Sequence, residues 1–532
     1  MKAHTLKTFL DVHTWTGLGA GMALFIAFFA GAMTVFHHEL QLWESYDSTP
    51  SEVFGTTHEE AQTLIDLVVA AEPRAAESLR LYPSSEDHPG HEARWFERLE
   101  DGTFEGHEYR LGADGTLKTG HEGAHLADFV YRLHYTAGLP SSFGIYVLGI
   151  VSMIYGLAIV TGLLIFLPNF LKDLFIVRPG RNNKRFWRDA HNVVGVVSLP
   201  WHVMFAWSSV LLTIGIFFIA PFQFVVYEDD LIEMLGPQLG VIQPLEPKGE
   251  PGNALSVGEL MAIVEREAPG IEATQMRFAN YGDANAMVSV FGAVDAGTLV
   301  DNASVSLAVG TGETLAVSHP ADAGLGTAFY NGLIALHFAA FGGYVSKWVY
   351  FLLGLGGAFL FFSGNLLWVE TRRKRRQAEQ PGKTVFLARL NSGVCIGCMA
   401  GISAAFLSNR ALAGMESHGE LTELTYYVVF LVSLAWCFLR SVAAGARDLL
   451  YLCALLTLAI PLFDALYVDR PIWTSFAHGE WALVFVDLIA FLGAAVFLML
   501  GRAVQARAAT GDPNSVWAHA PGKSLALPES AT

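Results

Sequence analysis

Eight long apolar segments constrain this chain more than any other feature of its sequence. Each is close to the length of about 20 residues that an α-helix needs to cross the hydrocarbon core of a bilayer. They cover residues 15–36, 145–167, 193–218, 349–369, 385–407, 421–439, 449–466 and 481–500. Only 16% of the 532 residues are charged, whereas soluble domains carry about 25%. The sequence therefore predicts an all-α polytopic membrane bundle of about eight transmembrane helices.

Lysine and arginine concentrate in two short loops, 170–189 and 371–384. Because short basic loops stay in the cytoplasm, we expect both termini to be cytoplasmic and the two long polar segments to be external. Arg410 and Arg470 fall on the external side, where they are isolated cations in the sequence.

This orientation divides the chain into ten regions. They are the first helix 1–39, a first external domain 40–132, the second helix 133–169, a basic cytoplasmic loop 170–189, the third helix 190–220, a second external domain 221–335, the fourth helix 336–370, a second basic loop 371–384, four additional helices 385–501 and a cytoplasmic tail 502–532. The net charge is −17, with acids clustered in the external segments. Because nucleic acid binding requires lysine and arginine to displace counterions, we expect no nucleic acid partner.

The first four helices contain an internal duplication. Asp11-Val12-His13 with Gly17 matches Asp189-Ala190-His191 with Gly195. Leu133-His134-Tyr135 matches Leu336-His337-Phe338, and Thr161-Gly162 matches Ser363-Gly364. The unit is helix, external domain, helix, repeated in the same orientation. Repeats of this kind usually pack about a pseudo-two-fold axis along the membrane normal.

The two external domains match as well. Each begins with a capping box, has strand-like stretches and contains a glycine turn typical of a hairpin. The first domain has the capping box Thr57 with Glu60, a strand-like stretch at 78–82 and the turn Asp114-Gly115. The second has Ser256 with Glu259, a stretch at 274–279 and the turn Thr311-Gly312. The sequence therefore predicts two external α+β domains.

Four histidines occupy duplicated positions at helix ends, and ionisable residues there are functional candidates. The pseudo-two-fold axis would bring His13 towards His191 and His134 towards His337. Opposed imidazoles in an apolar bundle suit the two axial positions of haem iron. Zinc matches less well, because structural zinc takes four ligands. Structural or proton-handling roles for these histidines remain open.

His202 breaks the symmetry, since its counterpart in the first repeat is Leu24. It lies eleven residues after His191, on nearly the same helical face. It is a candidate to replace one of the four ligands or to relay protons. The Cys395-x-x-Cys398 motif lies inside an apolar helix, where two buried packing residues are the better interpretation.

The segments Val12-His13-Thr14-Trp15-Thr16-Gly17-Leu18, Arg188-Asp189-Ala190-His191-Asn192-Val193-Val194-Gly195 and Leu336-His337-Phe338 resemble the PepSY-associated transmembrane proteins. The resemblance covers roughly residues 6–376. It implies periplasmic PepSY-like domains, a bacterial inner-membrane location and two b-type haems held by His13, His134, His191 and His337. Some members act as ferric-siderophore reductases. The helices of 385–501 extend beyond the usual four-helix core.

We therefore expect a transmembrane electron-transfer protein that reduces an external acceptor such as a ferric siderophore. No dinucleotide fingerprint follows a strand, so a cytoplasmic reductase or a membrane quinol would donate the electrons. One rival is a non-enzymatic sensor or scaffold, and another is a transporter. The sequence identifies no catalytic residue. A transporter would carry charged residues in the membrane, and the apolar segments contain few besides Asp464 and Asp487.

Overall fold

The computed structural model describes residues 3–44, 55–85, 90–98, 104–112, 114–119, 125–170, 175–178, 183–227, 236, 242–295, 299–415 and 417–518. Contacts between residues divide the chain into two compact units. We call one the helix unit, which comprises Met1–Ser48, Ala124–Gly215 and Gly342–Thr532. The other is the sheet unit, which comprises Thr49–Gly123 and Ile216–Phe341.

Fifteen α-helices lie within the described ranges. They are α1 (Ala3–Thr34), α2 (His37–Glu44), α3 (His58–Ala71), α4 (His125–Thr136), α5 (Ser141–Phe166), α6 (Asn183–Val197), α7 (Leu199–Pro221), α8 (Val257–Glu267), α9 (Leu325–Phe338), α10 (Gly343–Arg372), α11 (Gly382–Ala411), α12 (His418–Leu439), α13 (Val442–Tyr467), α14 (Ile472–His478) and α15 (Trp481–Thr510).

Eight of these helices are long and apolar enough to cross a membrane: α1, α5, α7, α10, α11, α12, α13 and α15. The predicted polytopic membrane class is therefore confirmed. We call the helix ends that join the two basic loops the basic end, and it includes the N-terminal part of α1, where His13 lies beside His191. The opposite ends of the first four spanning helices lead along the chain into the sheet unit, and we call that side the sheet-connected end.

The most enclosed spanning helix is α11, which belongs to the four additional helices. In its most apolar window 83% of the residues are buried, against 44% or less in the other seven. Gly393, Gly397 and Gly401 form a stripe of small residues along this helix. A Cβ on Gly401 would lie 3.1 Å from the carbonyl oxygen of Tyr426, and a Cβ on Gly393 would lie 3.1 Å from the Cα of Leu434. Small residues at such spacing let α11 and α12 approach closely.

The sheet unit contains one antiparallel sheet of eight strands. They are β1 (Ser78–Tyr82), β2 (Glu92–Arg98), β3 (Phe104–Leu111), β4 (Leu117–Thr119), β5 (Glu272–Ala279), β6 (Met287–Ala293), β7 (Asn302–Ala308) and β8 (Thr314–Ser318), in the order β4-β3-β2-β1-β5-β6-β7-β8. Strands β1 and β5 join the two polar segments, with Leu79 opposite Phe278 and Leu81 opposite Met276. The side chains of α3 and α8 share one apolar core with the sheet.

This sheet differs from the two separate α+β domains that the sequence suggests. Each polar segment supplies four strands, and the two halves form a continuous ladder. The physical reason lies in the edges, because an isolated half would expose the N–H and C=O groups of β1 or β5. Pairing β1 with β5 satisfies those groups and buries Leu79, Leu81 and Met276 completely. The two segments therefore form a single folded unit.

The capping boxes and glycine turns that the sequence predicts for the sheet unit are confirmed. The side chain of Thr57 accepts a hydrogen bond from the Glu60 amide, and that of Ser256 accepts one from the Glu259 amide. Both capping boxes are complete. The predicted turns connect β3 to β4 and β7 to β8, with left-handed φ angles of +71° at Gly115 and +72° at Gly312.

Candidate histidine site in the helix unit

His13 and His191 lie next to each other in the helix unit. Their ring centroids are 6.3 Å apart, and the ring planes meet at 75°. Two imidazoles that share one metal ion, each at a bond length of about 2 Å, have ring centroids roughly 6 Å apart. The first predicted pair is therefore assembled, at the basic end of α1 and α6.

Each of these two rings is anchored to a neighbouring helix in the same way. The Nδ1 atom of His13 lies 2.9 Å from the carbonyl oxygen of Ala158 in α5. The Nδ1 atom of His191 lies 3.1 Å from the carbonyl oxygen of Leu360 in α10. Because a carbonyl oxygen only accepts, Nδ1 carries the proton and Nε2 is the unprotonated nitrogen of the neutral ring. An outer hydrogen bond of this type prepares a histidine for metal ligation.

A glycine four residues after each accepting carbonyl makes room for the ring. A Cβ on Gly162 would lie 2.9 Å from Cε1 of His13. A Cβ on Gly364 would lie 3.3 Å from Cε1 of His191. The Thr161-Gly162 and Ser363-Gly364 pairs of the duplication are thus contact positions for the histidines, and Ser363 Oγ lies 3.1 Å from His191 Nδ1.

His134 repeats the arrangement near the other end of α1. Its Nδ1 atom lies 2.8 Å from the carbonyl oxygen of Ala27. Four residues further along α1, a Cβ on Gly31 would lie 2.5 Å from the same Nδ1 atom. Three duplicated histidines therefore share one set of contacts: a donated Nδ1 hydrogen and a glycine at the fourth residue after the acceptor.

His337 lies in the last turn of α9, in the sheet unit, whereas His134 belongs to the helix unit. The two helices that carry them end alike. Ala137, which follows α4, and Ala339, which follows α9, have left-handed φ angles of 52° and 54°. A spanning helix begins a few residues later in both repeats, α5 in the first and α10 in the second.

His202 lies at mid-length of the helix unit and is 3% exposed. Its Nδ1 atom is hydrogen-bonded to the hydroxyl of Tyr155. The rings of Phe28 and Phe361 surround it, with centroids 5.7 and 6.5 Å away. Among the residues that the structure describes, none hydrogen-bonds its buried Nε2 atom. Unlike the three repeated histidines, it bonds a tyrosine, which can either donate or accept.

A buried ionic cluster lies among the additional helices, and the sequence analysis missed it. Arg410 is 8% exposed and pairs with Asp464, with Nε and Oδ1 3.0 Å apart. The indole Nε1 of Trp43 donates to the other oxygen of Asp464 at 2.9 Å. Asp487 is 1% exposed, and neither of its carboxylate oxygens has a hydrogen-bond partner within the described ranges.

Arg410 is therefore not the isolated cation that its place in the sequence suggests. Its partners come from α2 and α13, which no local pattern connects to α11. Arg470 also has a partner, since its Nε lies 3.6 Å from a carboxylate oxygen of Glu480. By contrast, Cys395 and Cys398 are completely buried in an apolar cluster, as the sequence predicts.

A cluster of two glutamates and two arginines lies on β2 and β3 of the sheet unit. Arg110 contacts Glu92 at 2.6 Å, and Arg94 contacts both Glu92 and Glu108. Burial, followed by the negative charge of Glu92, raises the pKa of Glu108 to about 7. Although burial opposes it, the charges of Arg94 and Arg110 lower the pKa of Glu92. Glu92 and Glu108 thus share Arg94 and Arg110, and Glu92 is the carboxylate with the lower pKa of the two.

Metal ligation by a larger set of side chains has no support in the described ranges. They contain no group of three or more His, Cys, Asp or Glu side chains placed to hold a metal ion. Structural zinc uses four ligands, so the paired histidines do not form such a site. Within those ranges, the His13–His191 pair brings two imidazole rings together.

Comparison with known proteins identifies a family for most of this chain. Residues 10–371 match the model of the PepSY-associated TM region family. An uncharacterised protein of Pseudomonas aeruginosa, PA4219, is 26% identical over 262 residues, which cover 46% of this chain and 63% of that protein. The chain thus spans less than two thirds of that relative. The family match covers both repeats and all five histidines discussed above, and the chain belongs to the PepSY-associated TM region family.

Proposed function

We propose that this protein is a haem-containing electron-transfer protein of the bacterial inner membrane that reduces an external acceptor, a ferric siderophore. The observation that carries the proposal is the His13–His191 pair, with ring centroids 6.3 Å apart and both Nδ1 hydrogens directed at helix carbonyls. A structural role for two histidines requires neither this separation nor the repeated anchoring.

The residues fit a haem with two histidine ligands. His13 and His191 would hold the haem at the basic end, and His134 and His337 would hold a second one. The second pair rests on the duplication in the sequence. Bound haem iron supplies one-electron chemistry, cycling between its ferric and ferrous states. Helix carbonyls fix the tautomers of His13, His134 and His191, and apolar helices enclose the His13–His191 pair. Both features would tune the reduction potential of a bound haem.

The proposed orientation puts the basic end in the cytoplasm and the sheet unit in the periplasm. The sheet unit would position the acceptor. A cytoplasmic reductase or a membrane quinol would donate the electrons. Reduction of Fe(III) to Fe(II) weakens its bonds to the hard oxygen ligands of a siderophore, so the metal can be released.

Single histidine substitutions test the ligand set. His13→Ala and His191→Ala should each remove the same haem, while His134→Ala and His337→Ala should each remove the other. His478→Ala is the matched control, because His478 is exposed on α14 and its Nδ1 bonds the carbonyl oxygen of Thr474 in its own helix, at 2.8 Å. Haem quantification and the reduced spectrum of each variant give the readout. Loss of a haem in His202→Ala, with retention in one of the four, would reassign that ligand.

A stopped-flow experiment tests the acceptor. The reduced protein should be reoxidised by a ferric siderophore, and a ferrous chelator should trap the Fe(II) that forms. Ferricyanide, a small oxidant, serves as the control for haems that are able to react. Rapid reoxidation by ferricyanide without any Fe(II) from the siderophore would exclude ferric siderophores as acceptors.

The ionic cluster favours transport as a second candidate function. Asp487, Asp464 and Arg410 are buried in a spanning bundle, where ionisable groups commonly mark ion or proton pathways. A transporter would carry protons or ions across liposomes without bound haem. Asp487→Asn should then abolish the flux, whereas an electron-transfer protein with this substitution should keep its haem spectrum.

A further inference from the structure

A large cavity lies in the helix unit, bounded by α1, α2, α6, α10, α11, α13 and α15. Its volume is about 1090 Å³. Aromatic and aliphatic side chains form nearly all of its wall, and every lining residue belongs to the helix unit. An apolar space of this size inside a membrane protein fits a lipid-soluble ligand.

The cavity extends along the whole of α15. Its lining on this helix runs from Ala482 to Arg507 and includes Phe485, Ile489 and Val496. A helix rises 1.5 Å per residue, so these 25 steps span about 37 Å. The hydrocarbon core of a bilayer is about 30 Å thick. The cavity therefore crosses both leaflets, whereas one phospholipid chain occupies a single leaflet.

The sheet-connected end of the cavity carries a buried ion pair. Glu39 lines the cavity and is 7% exposed. Its Oε1 atom accepts from the Lys347 ammonium at 2.6 Å. Its Oε2 atom is also buried and has no hydrogen-bond partner among the residues that the structure describes. A buried carboxylate oxygen without a donor is costly, and a ligand hydroxyl would satisfy it.

Aromatic rings surround the same end. The ring of Trp348 lies 4.8 Å from that of Phe36 and 5.8 Å from that of Phe485, measured between centroids. All three line the cavity with Glu39. Such walls favour a flat ring that packs by its faces and edges.

We propose that this cavity binds an isoprenoid quinol, with its ring beside Glu39 and Trp348 and its polyprenyl tail along α15. The quinol hydroxyl donates to the free Oε2 atom of Glu39, while Lys347 keeps its bond to Oε1 and balances the charge of the carboxylate. A phospholipid is disfavoured at this position, because its phosphate would face the carboxylate of Glu39 and its chains would fill one leaflet. The electron-transfer role of the bound quinol rests on the proposed function.

Helix α1 separates the cavity from His134. Phe25, Phe29 and Met33 face the cavity, while Ala27 and Gly31 contact the His134 ring. A helix with its side chains is about 10 Å across, which sets the distance between a bound quinol and this histidine. Oxidation of one quinol breaks two O–H bonds and yields a quinone, two protons and two electrons. The Glu39 carboxylate would take the two protons one at a time and release each to water at the sheet-connected end, and the two electrons would pass one by one to the haems of the proposed function.

Binding can be measured without electron transfer. The protein in nanodiscs of defined phospholipid is titrated with ubiquinone bearing a polyprenyl tail. Quenching of tryptophan fluorescence reports binding, because Trp187, Trp348 and Trp517 line the cavity. Gly493→Leu narrows the cavity, because Gly493 lines it on α15. Ala495→Leu is the matched control, since Ala495 is exposed two residues further along α15 and does not line the cavity. Glu39→Gln keeps the volume and removes the charge.

Gly493→Leu should weaken quinone binding at least tenfold, and Ala495→Leu should leave it unchanged. Glu39→Gln should weaken binding less but slow reduction by quinol at least tenfold. Equal affinity in wild type and Gly493→Leu, or extraction of phospholipid and no quinone from the purified wild type, would overturn the proposal. Quinone binding by a protein without haem would leave this site intact and refute the proposed function instead.

Discussion

Three histidines of the helix unit share one set of contacts, and the sequence contains most of what is needed to find it. Duplication identifies His13 and His191 together with Gly162 and Gly364. The accepting carbonyls could not be predicted, because a backbone carbonyl has no signature in the sequence. The match of His134 to Gly31 was also missed, since this glycine lies in a helix rich in glycine and alanine.

Alanine at the contact glycines should displace single histidine rings. A Cβ on Gly31 would lie 2.5 Å from Nδ1 of His134, and a Cβ on Gly162 would lie 2.9 Å from Cε1 of His13. Gly31→Ala should lower occupancy of one haem and Gly162→Ala that of the other. Gly19→Ala is the matched control on α1, because a Cβ there meets no atom within 4 Å. Equal haem content in all three variants would remove these glycines from the site.

The acid pair on β2 and β3 predicts a pH dependence of the sheet unit. The pKa of Glu108 is raised to about 7 from an ordinary value of 4.5, so the folded state holds the Glu108 proton more tightly than the unfolded state does. This contribution to stability is present below pH 4.5 and is lost as the pH rises through 7.

Glu108→Gln should therefore be more stable than the wild type at pH 8, with no such gain at pH 5. Hydrogen exchange of the β2 and β3 amides measures the difference locally. Glu267→Gln, which removes a surface carboxylate on α8, is the control for a change of one charge. Faster exchange in Glu108→Gln than in the wild type at pH 8 would contradict the assignment.

At the scale of elements, the sequence predicts what depends on near neighbours. Both capping boxes, both glycine turns and the eight spanning helices follow from local patterns. The pairing of β1 with β5 cannot be predicted in this way, because the two strands are separated by almost two hundred residues in the sequence. The need of each strand edge for a hydrogen-bonding partner is what favours the pairing. The α11–α12 contact was likewise missed, although the Gly393, Gly397 and Gly401 stripe is the signal that could have revealed it.

The joined sheet should unfold as one unit. Leu79→Ala leaves a cavity between β1, β5 and the helices and should cost about 2–5 kcal/mol. Because β1 is central, hydrogen exchange should accelerate in β2 and β6 alike. Leu315→Ala, at a more exposed position of the edge strand β8, is the control. Acceleration confined to β2 and β3 would mean that the two halves fold independently.

The joined sheet also limits how its role can be tested. Deletion of the second polar segment, 256–318, removes β5 to β8 and exposes the edge of β1. Any loss of activity would then reflect an unfolded half sheet. Surface substitutions that keep the β1–β5 ladder are the suitable probes of acceptor binding.

At the scale of the whole molecule, the duplicated histidines lie on α1, α4, α6 and α9, within the part of the chain that contains the first four spanning helices, and the additional four spanning helices follow it. The additional helices form most of the wall of the cavity and supply the Arg410–Asp464 pair. Sequence reasoning found no motif in them, because the cavity wall and the contacts of Arg410 also involve residues of α1, α2 and α10. Their packing against the preceding helices creates a cavity that the first four spanning helices alone would lack.

The most direct test of the account is the reduced-minus-oxidised absorption spectrum of the purified wild type, recorded with haem quantification. The account predicts a red protein with two b-type haems per chain and the sharp bands of low-spin iron held by two histidines. A colourless protein, purified folded from cells with ample haem, would contradict it.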